Sequence, residues 1–398
     1  MINHMRPRKW AILFPFIFFA ATSMFVRSWV PFLYSSWPTL LLGCLLAIVV
    51  VPKFFKTRWF VCIGLYTLVV FLNWLAGDDF FKSFSFVANE IACLFLFSAM
   101  VYYLFISGDK KCFEYTYVIM LGMLVIATFG SVYVNHTTPG IVRYQNYIIL
   151  NGEYSDLISY YRLGMSNYLL PHGLPVLIPP LILLIKRGGL KERMVAIAFL
   201  LCSMLLIYLG GSTTAFLLAL LAFATLFFNK EGSTRPLLVA IVAIITIPMF
   251  FSLLELGFGE DELGGVYSSH LSDLSDYASE GAEGNAANRM SLYKQSLAGF
   301  FQNPLIGTNS HMSGHSVVLD RLGSLGLVGF LPFVGILYYC FQFVSRQFGR
   351  SERPYYIISF LLGMLMLLAK GIEDKEVWLM LIVVAPVIFY KASHIEKK

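Results

Sequence analysis

The chain has 398 residues, of which 58% are hydrophobic and only 13% are Asp, Glu, Lys or Arg. Because an ordinary soluble domain carries about 25% charged residues, this composition excludes a soluble globular fold and predicts that apolar surface faces lipid. The formal net charge is +6, but the basic residues are scattered along the chain and do not form the clustered basic face of a nucleic-acid-binding protein.

Apolar stretches recur along almost the whole chain, and each has roughly the 17 to 25 residues that a helix needs to cross a bilayer. They predict an all-α polytopic membrane protein with about twelve transmembrane helices, in which residues 1–398 form a single integral membrane domain. In chain order the predicted helices lie near 10–26, 32–51, 59–76, 86–106, 115–134, 168–185, 193–209, 211–228, 236–256, 323–345, 354–370 and 376–392.

The distribution of Lys and Arg predicts the orientation, because cytoplasmic loops retain basic residues. With an inside amino terminus every predicted inner loop is basic, so both termini are expected in the cytoplasm. We expect that some of the basic residues on the outer side have a function, because their position opposes this tendency. The outer residues are Arg27, Lys82, Arg143, Arg162, Arg289, Lys294, Arg321, Lys370 and Lys375.

Two predicted outer segments, 135–167 and 257–322, are much longer than the other connections. Long ordered loops often carry functional residues, so the site is expected there. The second segment contains an acidic run at 260–283, for which the alternatives are a solvated surface, a cation site or part of an acceptor groove. Apolar residues at helical spacing then predict an amphipathic helix at 286–301, lying on the membrane or on the bundle.

Three arginines of these outer segments, Arg289, Arg162 and Arg143, are candidate phosphate ligands. The planar guanidinium group binds phosphate oxygens through two parallel hydrogen bonds, so arginines near the outer membrane plane suit a lipid pyrophosphate. The alternative is that they contact lipid headgroups or the acidic run.

His315 is the candidate catalytic residue, because it directly precedes an apolar helix and is expected at the mouth of the membrane domain. A histidine with a near-neutral pKa can take a proton from a sugar hydroxyl as that hydroxyl attacks. The alternative is an interfacial histidine with an ordinary hydrogen bond. His311 precedes it by four residues, but Gly314 and the missing carboxylate argue against zinc, and we expect no metal and no cofactor.

Three further residues are secondary candidates. Glu90 lies within a predicted helix, where an ionisable group is costly and indicates either a function or an interhelical contact. Arg321 lies six residues after His315 and, at 100° per helical residue, points to a different face. Lys294 lies on the predicted amphipathic helix.

The stretch 288–333 resembles the signature region of the O-antigen ligase and polymerase superfamily. That pattern has an arginine that opens an outer-loop helix, an Asn-Pro-Leu-x-Gly turn, then His followed by Asn or Ser, about nine residues, and Gly-x-x-Gly. In this chain the matching positions are Arg289, 303–307, His315-Ser316, and Gly326 with Gly329.

The resemblance implies a helical bundle similar to that of type C glycosyltransferases, with undecaprenyl-pyrophosphate-linked glycan as donor. It implies metal-independent transfer with inversion at the anomeric carbon. By this similarity Arg289 holds the pyrophosphate and His315 activates the acceptor hydroxyl. The implied partners are undecaprenyl-pyrophosphate-linked oligosaccharides, membrane lipid and, as a further candidate, a chain-length regulator.

Within the superfamily the sequence favours a polymerase, which joins one lipid-linked glycan to another, over a ligase, which transfers the glycan to lipid A core. Arg162 with Gly173 fits a spacing described for polymerases, whereas Thr214 and Ala215 stand where ligases commonly carry an arginine. A third alternative is a lipid-linked-sugar flippase or another transporter. No internal repeat is visible and the candidate residues concentrate in outer segments, which argues against a transporter.

Overall fold

The computed structural model of the chain describes residues 9–30, 37–76, 80–150, 154–227, 285–308, 315–370 and 375–394. These residues form helices and connecting turns, with no strand among them. The α-helices are α1 Leu13–Thr22, α2 Met24–Trp29, α3 Trp37–Val50, α4 Arg58–Ala76, α5 Phe80–Ser107, α6 Lys110–Thr137, α7 Ile141–Leu150, α8 Tyr154–Arg162, α9 Leu170–Gly173, α10 Ile178–Arg187, α11 Leu190–Leu209, α12 Thr213–Phe227, α13 Asn285–Gln302, α14 Val317–Ser345, α15 Arg353–Ala369, α16 Lys375–Leu379 and α17 Ala385–Ser393.

Each predicted apolar segment in the described part of the chain is mostly helical, and the segment 236–256 lies outside it. Six helices in the described residues are long and apolar enough to cross a membrane, and four shorter apolar helices accompany them. Large apolar side chains are exposed on their outer faces, including Leu41, Val118 and Leu201, which are 60%, 61% and 66% exposed. This surface is typical of a protein in contact with lipid.

Three predicted helices are divided into separate helices or turns. The segment 10–26 divides at Ser23 into α1 and α2, and the last segment contains a π-helical turn, Met380–Val384, between α16 and α17. The segment 168–185 begins as the short α9 and a 3-10 turn, Leu174–Leu177, because its prolines lack the N–H group that a regular helix requires. The two irregular turns face each other, since a Cβ atom on Gly173 would lie 2.5 Å from the sulfur of Met380.

The segment 135–167, expected as a loop, contains α7 and α8. Gln145 of α7 holds this region to the start of α9. Its Nε2 donates to the Ser166 carbonyl at 3.0 Å, and its Oε1 accepts from the Tyr168 N–H at 3.0 Å. The Gln145 side chain is fully buried, so these two bonds satisfy polar groups that water does not reach.

A break in α14 receives the turn that follows α13. Gly326 has a φ of +56°, which interrupts α14, and the turn 303–308 docks at this break. The N–H groups of Leu327 and Val328 donate to the carbonyls of Pro304 and Leu305 at 2.9 Å and 3.0 Å. A Cβ atom on Gly326 would lie 2.5 Å from the Leu305 backbone, so only glycine fits here.

The backbone of α13 also crosses α14 closely at Gly323. A Cβ atom at this position would lie 2.4 Å from the Ser296 carbonyl oxygen. That atom belongs to the backbone of α13 and cannot turn aside as a flexible side chain can. The distance between α13 and α14 therefore depends on a glycine at 323.

We expect Gly323→Ala to lower the free energy of unfolding by about 1–3 kcal/mol, because the added methyl group forces α13 away from α14. Gly122→Ala on α6 is the matched control, because no atom lies within 4 Å of its Cβ position and alanine favours the helix. Thermal unfolding of the two purified variants in the same detergent measures the difference. Equal unfolding temperatures would contradict the close crossing.

Candidate functional site

Four basic side chains from four separate elements lie near one another. Arg289 lies in the first turns of α13, His315 in the turn before α14, Lys370 directly after α15, and His172 on α9. The charges of Arg289 and Lys370 act on both histidines, and the charge of Arg289 acts on Lys370. We call these four residues the basic cluster. The structure therefore brings together the predicted Arg289 and His315.

Two hydrogen bonds join the helix ends that carry the basic cluster. The Tyr293 hydroxyl of α13 donates to the Ala369 carbonyl at the end of α15, at 2.9 Å. The Val317 N–H at the start of α14 donates to the Lys370 carbonyl at 3.2 Å. Because the backbone of Lys370 is held in this way, its ammonium group is not needed for anchoring the helix.

The turn that carries His315 is fixed by Asp320. Ser316 caps α14, and its hydroxyl accepts the Leu319 N–H at 3.2 Å. One oxygen of the buried Asp320 carboxylate accepts the Ser296 hydroxyl at 2.5 Å, and the other accepts the Ser316 N–H at 3.3 Å. Asp320 thus connects the residue after His315 to α13. The sequence interpretation gave Asp320 no role, although its position one turn into a serine-capped helix was a usable signal.

The surroundings of His315 favour its neutral form. Burial lowers its pKa, and the positive charges of Arg289 and Lys370 lower it further, while the carboxylate of Asp320 acts in the opposite direction. The net direction is below the ordinary value of 6.5. A lowered pKa favours the neutral ring, in which one nitrogen carries no proton and is able to accept one.

Lys370 and Arg289 are cations that lack a carboxylate partner within the described residues, where the ion pairs involve other side chains. Both are half-buried. Burial lowers the pKa of Lys370 to about 8, and the charge of Arg289 acts in the same direction. Cations removed from water and placed near each other are costly unless an anion joins them. The basic cluster therefore has the electrostatic character of an anion-binding site.

His172 was absent from the sequence-based candidates. It is only 8% exposed, and its Nδ1 has no hydrogen bond of normal geometry to any described residue, although the Tyr168 and Leu169 carbonyls lie nearby. A buried ring nitrogen without such a bond is uncommon in folded proteins, and this one is available to hydrogen-bond a ligand. The available signal was a histidine between Pro171 and Pro175, at the start of a segment that cannot form a regular helix.

The other predicted arginines make different contacts. Arg162 on α8 donates its Nε to the Ser28 carbonyl at 3.2 Å, and its guanidinium lies 5.2 Å from the ring centroid of Trp29, so it contacts α2. Arg143 on α7 lies 5.9 Å from the ring centroid of the adjacent Tyr144. Their proposed contact with pyrophosphate stays a prediction.

The secondary candidates also occupy different positions. Lys294 is exposed on α13, and Arg321 forms a buried ion pair of 2.6 Å with Glu90. The Tyr66 hydroxyl donates to the same carboxylate at 3.1 Å, so the pair links α4, α5 and α14. His311, considered as a metal partner of His315, lies outside the described residues.

We expect Glu90→Ala to destabilise the fold by about 3–5 kcal/mol, because it leaves the buried Arg321 guanidinium without its carboxylate. Glu114→Ala is the matched control. Glu114 pairs with Lys391 at 2.7 Å but its side chain is 52% exposed, and such pairs contribute about 1 kcal/mol or less. Thermal unfolding in detergent compares the two variants, and a Glu90→Ala protein as stable as the control would contradict the buried pair.

Comparison with known proteins places the chain in no family. No family model matches its sequence, and no curated protein matches it either.

Proposed function

We propose that this chain is a lipid-linked-polysaccharide polymerase of the O-antigen type, which joins undecaprenyl-pyrophosphate-linked repeat units. The observation that carries the proposal is the position of His315, a histidine of lowered pKa, beside the cations Arg289 and Lys370. This arrangement combines a proton acceptor with positive charge for a leaving diphosphate. The resemblance of the stretch 288–333 to the polymerase and ligase superfamily supports the same assignment.

The proposed topology has about twelve transmembrane helices, with both termini in the cytoplasm and the basic cluster facing the periplasm. It is supported by the described apolar helices and by the basic residues of every predicted inner loop. In this topology the fold is a bundle of the type C glycosyltransferase kind, located in a bacterial inner membrane.

The proposed reaction is glycosyl transfer in one step. An acceptor hydroxyl loses its proton to an imidazole nitrogen of His315 while its oxygen forms a bond to the anomeric carbon of the donor. The bond from that carbon to the diphosphate oxygen breaks on the opposite face, so the configuration inverts and undecaprenyl pyrophosphate leaves with the bonding electrons. Arg289 stabilises the charge that develops on the leaving group, and no metal is required in this scheme.

An O-antigen ligase is the second candidate, because the same chemistry would serve a lipid A core acceptor. A flippase is less well supported. Transporters bind substrate near the bilayer midplane and expose it to each side in turn, whereas the basic cluster lies at the joined ends of α13, α14 and α15.

We expect His315→Ala to abolish polymerisation, with a rate reduced at least about 100-fold, because general base catalysis contributes about 10²–10⁴. The measurement is glycan length on a gel, in cells that lack the gene and express either the native or the variant protein at equal level. His136→Ala, an exposed histidine at the end of α6, is the matched control and should give the native ladder.

Single repeats on core lipid in the His315→Ala cells, with long chains restored by the native protein, would establish a polymerase that needs His315. Loss of all glycan from core lipid, with long lipid-linked polymer accumulating, would instead identify a ligase. Native glycan length with His315→Ala would remove His315 from the mechanism.

A further inference from the structure

The basic cluster contains two residues, Lys370 and His172, to which the proposed transfer step assigns no individual contact with the ligand. They come from helices far apart in the chain, and neither belongs to the sequence pattern around Arg289 and His315. Each nevertheless interacts electrostatically with Arg289. Their chemistry indicates which ligand the cluster binds.

Among the described residues, the carboxylates near the basic cluster are engaged in other contacts. Asp320 accepts hydrogen bonds from Ser296 and from the Ser316 N–H, and Glu90 is paired with Arg321. The positive charges of Arg289 and Lys370 thus oppose each other across the cluster. A ligand that carries negative charge on two linked groups can meet one cation with each group and relieve this repulsion.

His172 adds a buried ring nitrogen that a ligand can hydrogen-bond. Its Nδ1 is buried and lacks a hydrogen bond of normal geometry to the described residues. The backbone around it is a short α-turn followed by a 3-10 turn, packed on the π-helical turn Met380–Val384. Irregular backbone within a membrane segment is tolerated where it is buried in protein or lines a cavity.

We propose that Arg289, Lys370 and His172 form one binding site for the diphosphate of a polyprenyl-diphosphate lipid, and that Lys370 makes this site prefer a diphosphate to a monophosphate. The chemical identity of the lipid rests on the proposed function, whereas the preference for two linked phosphates rests on the two cations. Arg289 and Lys370 each bind one phosphate group, and His172 hydrogen-bonds an oxygen of the ligand.

The experiment measures binding by the purified full chain in lipid nanodiscs, with farnesyl diphosphate and farnesyl monophosphate as soluble probes. The native protein is expected to bind the diphosphate roughly tenfold or more tightly than the monophosphate. Lys370→Met, which keeps the side-chain length but removes the charge, should weaken diphosphate binding about 10-fold or more, the effect of losing one charged hydrogen bond. It should leave monophosphate binding little changed.

Lys294→Met is the matched control, because Lys294 is exposed on the same helix as Arg289. This variant should leave both affinities unchanged. His172→Asn should weaken diphosphate binding by a few-fold, as expected for a neutral hydrogen bond. The unfolding temperature without ligand shows that each variant is folded. Equal native affinities for the two probes, or equal effects of Lys370→Met and Lys294→Met, would overturn the proposal.

The pH dependence supplies an independent readout. A pKa of about 8 for free Lys370 means that its charge is present below pH 8 and lost above it, so native diphosphate affinity should fall as pH rises beyond 8. Lys370→Arg should show a flat profile from pH 7 to about 9.5, because arginine stays protonated. A native profile that is equally flat would contradict the role of Lys370.

The neighbouring groups do not produce this pH effect. Burial and the adjacent cations keep the pKa of His315 below its ordinary value, and burial raises the pKa of Tyr293 above 10. Arginine side chains in general keep their charge over this pH range, and the Asp320 carboxylate is held by two hydrogen bonds. His172 also faces Lys370, and His172→Asn should retain the fall above pH 8.

The binding site and the proposed enzyme activity can fail separately. If polymer formation requires His315 but diphosphate binding does not depend on Lys370, the proposed polymerase is supported and this binding site is contradicted. If diphosphate binding depends on Lys370 but the His315→Ala variant still makes native polymer, the binding site is supported and the proposed mechanism is contradicted.

Discussion

The docking of the turn 303–308 into the break of α14 at Gly326 is the contact on which the geometry of the site depends. A helix break leaves N–H groups unpaired, and in an apolar environment each such group costs several kcal/mol. Here Leu327 and Val328 donate theirs to carbonyls of the docked turn. The break and the turn therefore stabilise each other. Because α13 ends in that turn, the same joint determines where the other end of α13, with Arg289, lies relative to His315.

In the basic cluster, backbone groups hold the helix ends in place, and the charged side chains remain available to a ligand. Lys370 is held through its carbonyl by Val317, and the neighbouring Ala369 is held by Tyr293, so the ammonium group has no structural task among the described residues. The charged side chain of Asp320, in contrast, has a structural role, because both of its carboxylate oxygens accept hydrogen bonds that fix the turn before α14. Strongly perturbed ionisable groups cluster at functional sites, where interaction with the ligand offsets the free energy needed to bury them.

Much of the fold could be predicted from apolar length alone, since each described apolar segment is helical and the reversal at Gly210–Gly211 follows from its glycines. Arg289 and His315 could be predicted because they share one stretch of sequence. His172 and Lys370 could not, because only tertiary packing brings them near Arg289. The helix α8 was missed, although the buried Leu157 and Tyr161, four residues apart, are a helical pattern that the sequence contains.

The break at Gly326 also explains why the number of residues between His315 and Gly326 should be fixed. Residues 317–325 form about two and a half helical turns between the histidine turn and the joint, a rise of about 13 Å. Inserting or deleting one residue in this stretch would rotate His315 by about 100° around the helix axis while the joint stayed in place. The number of residues in this stretch therefore sets the position of His315 relative to the joint. A substitution within it leaves this distance unchanged, whereas an insertion or deletion does not.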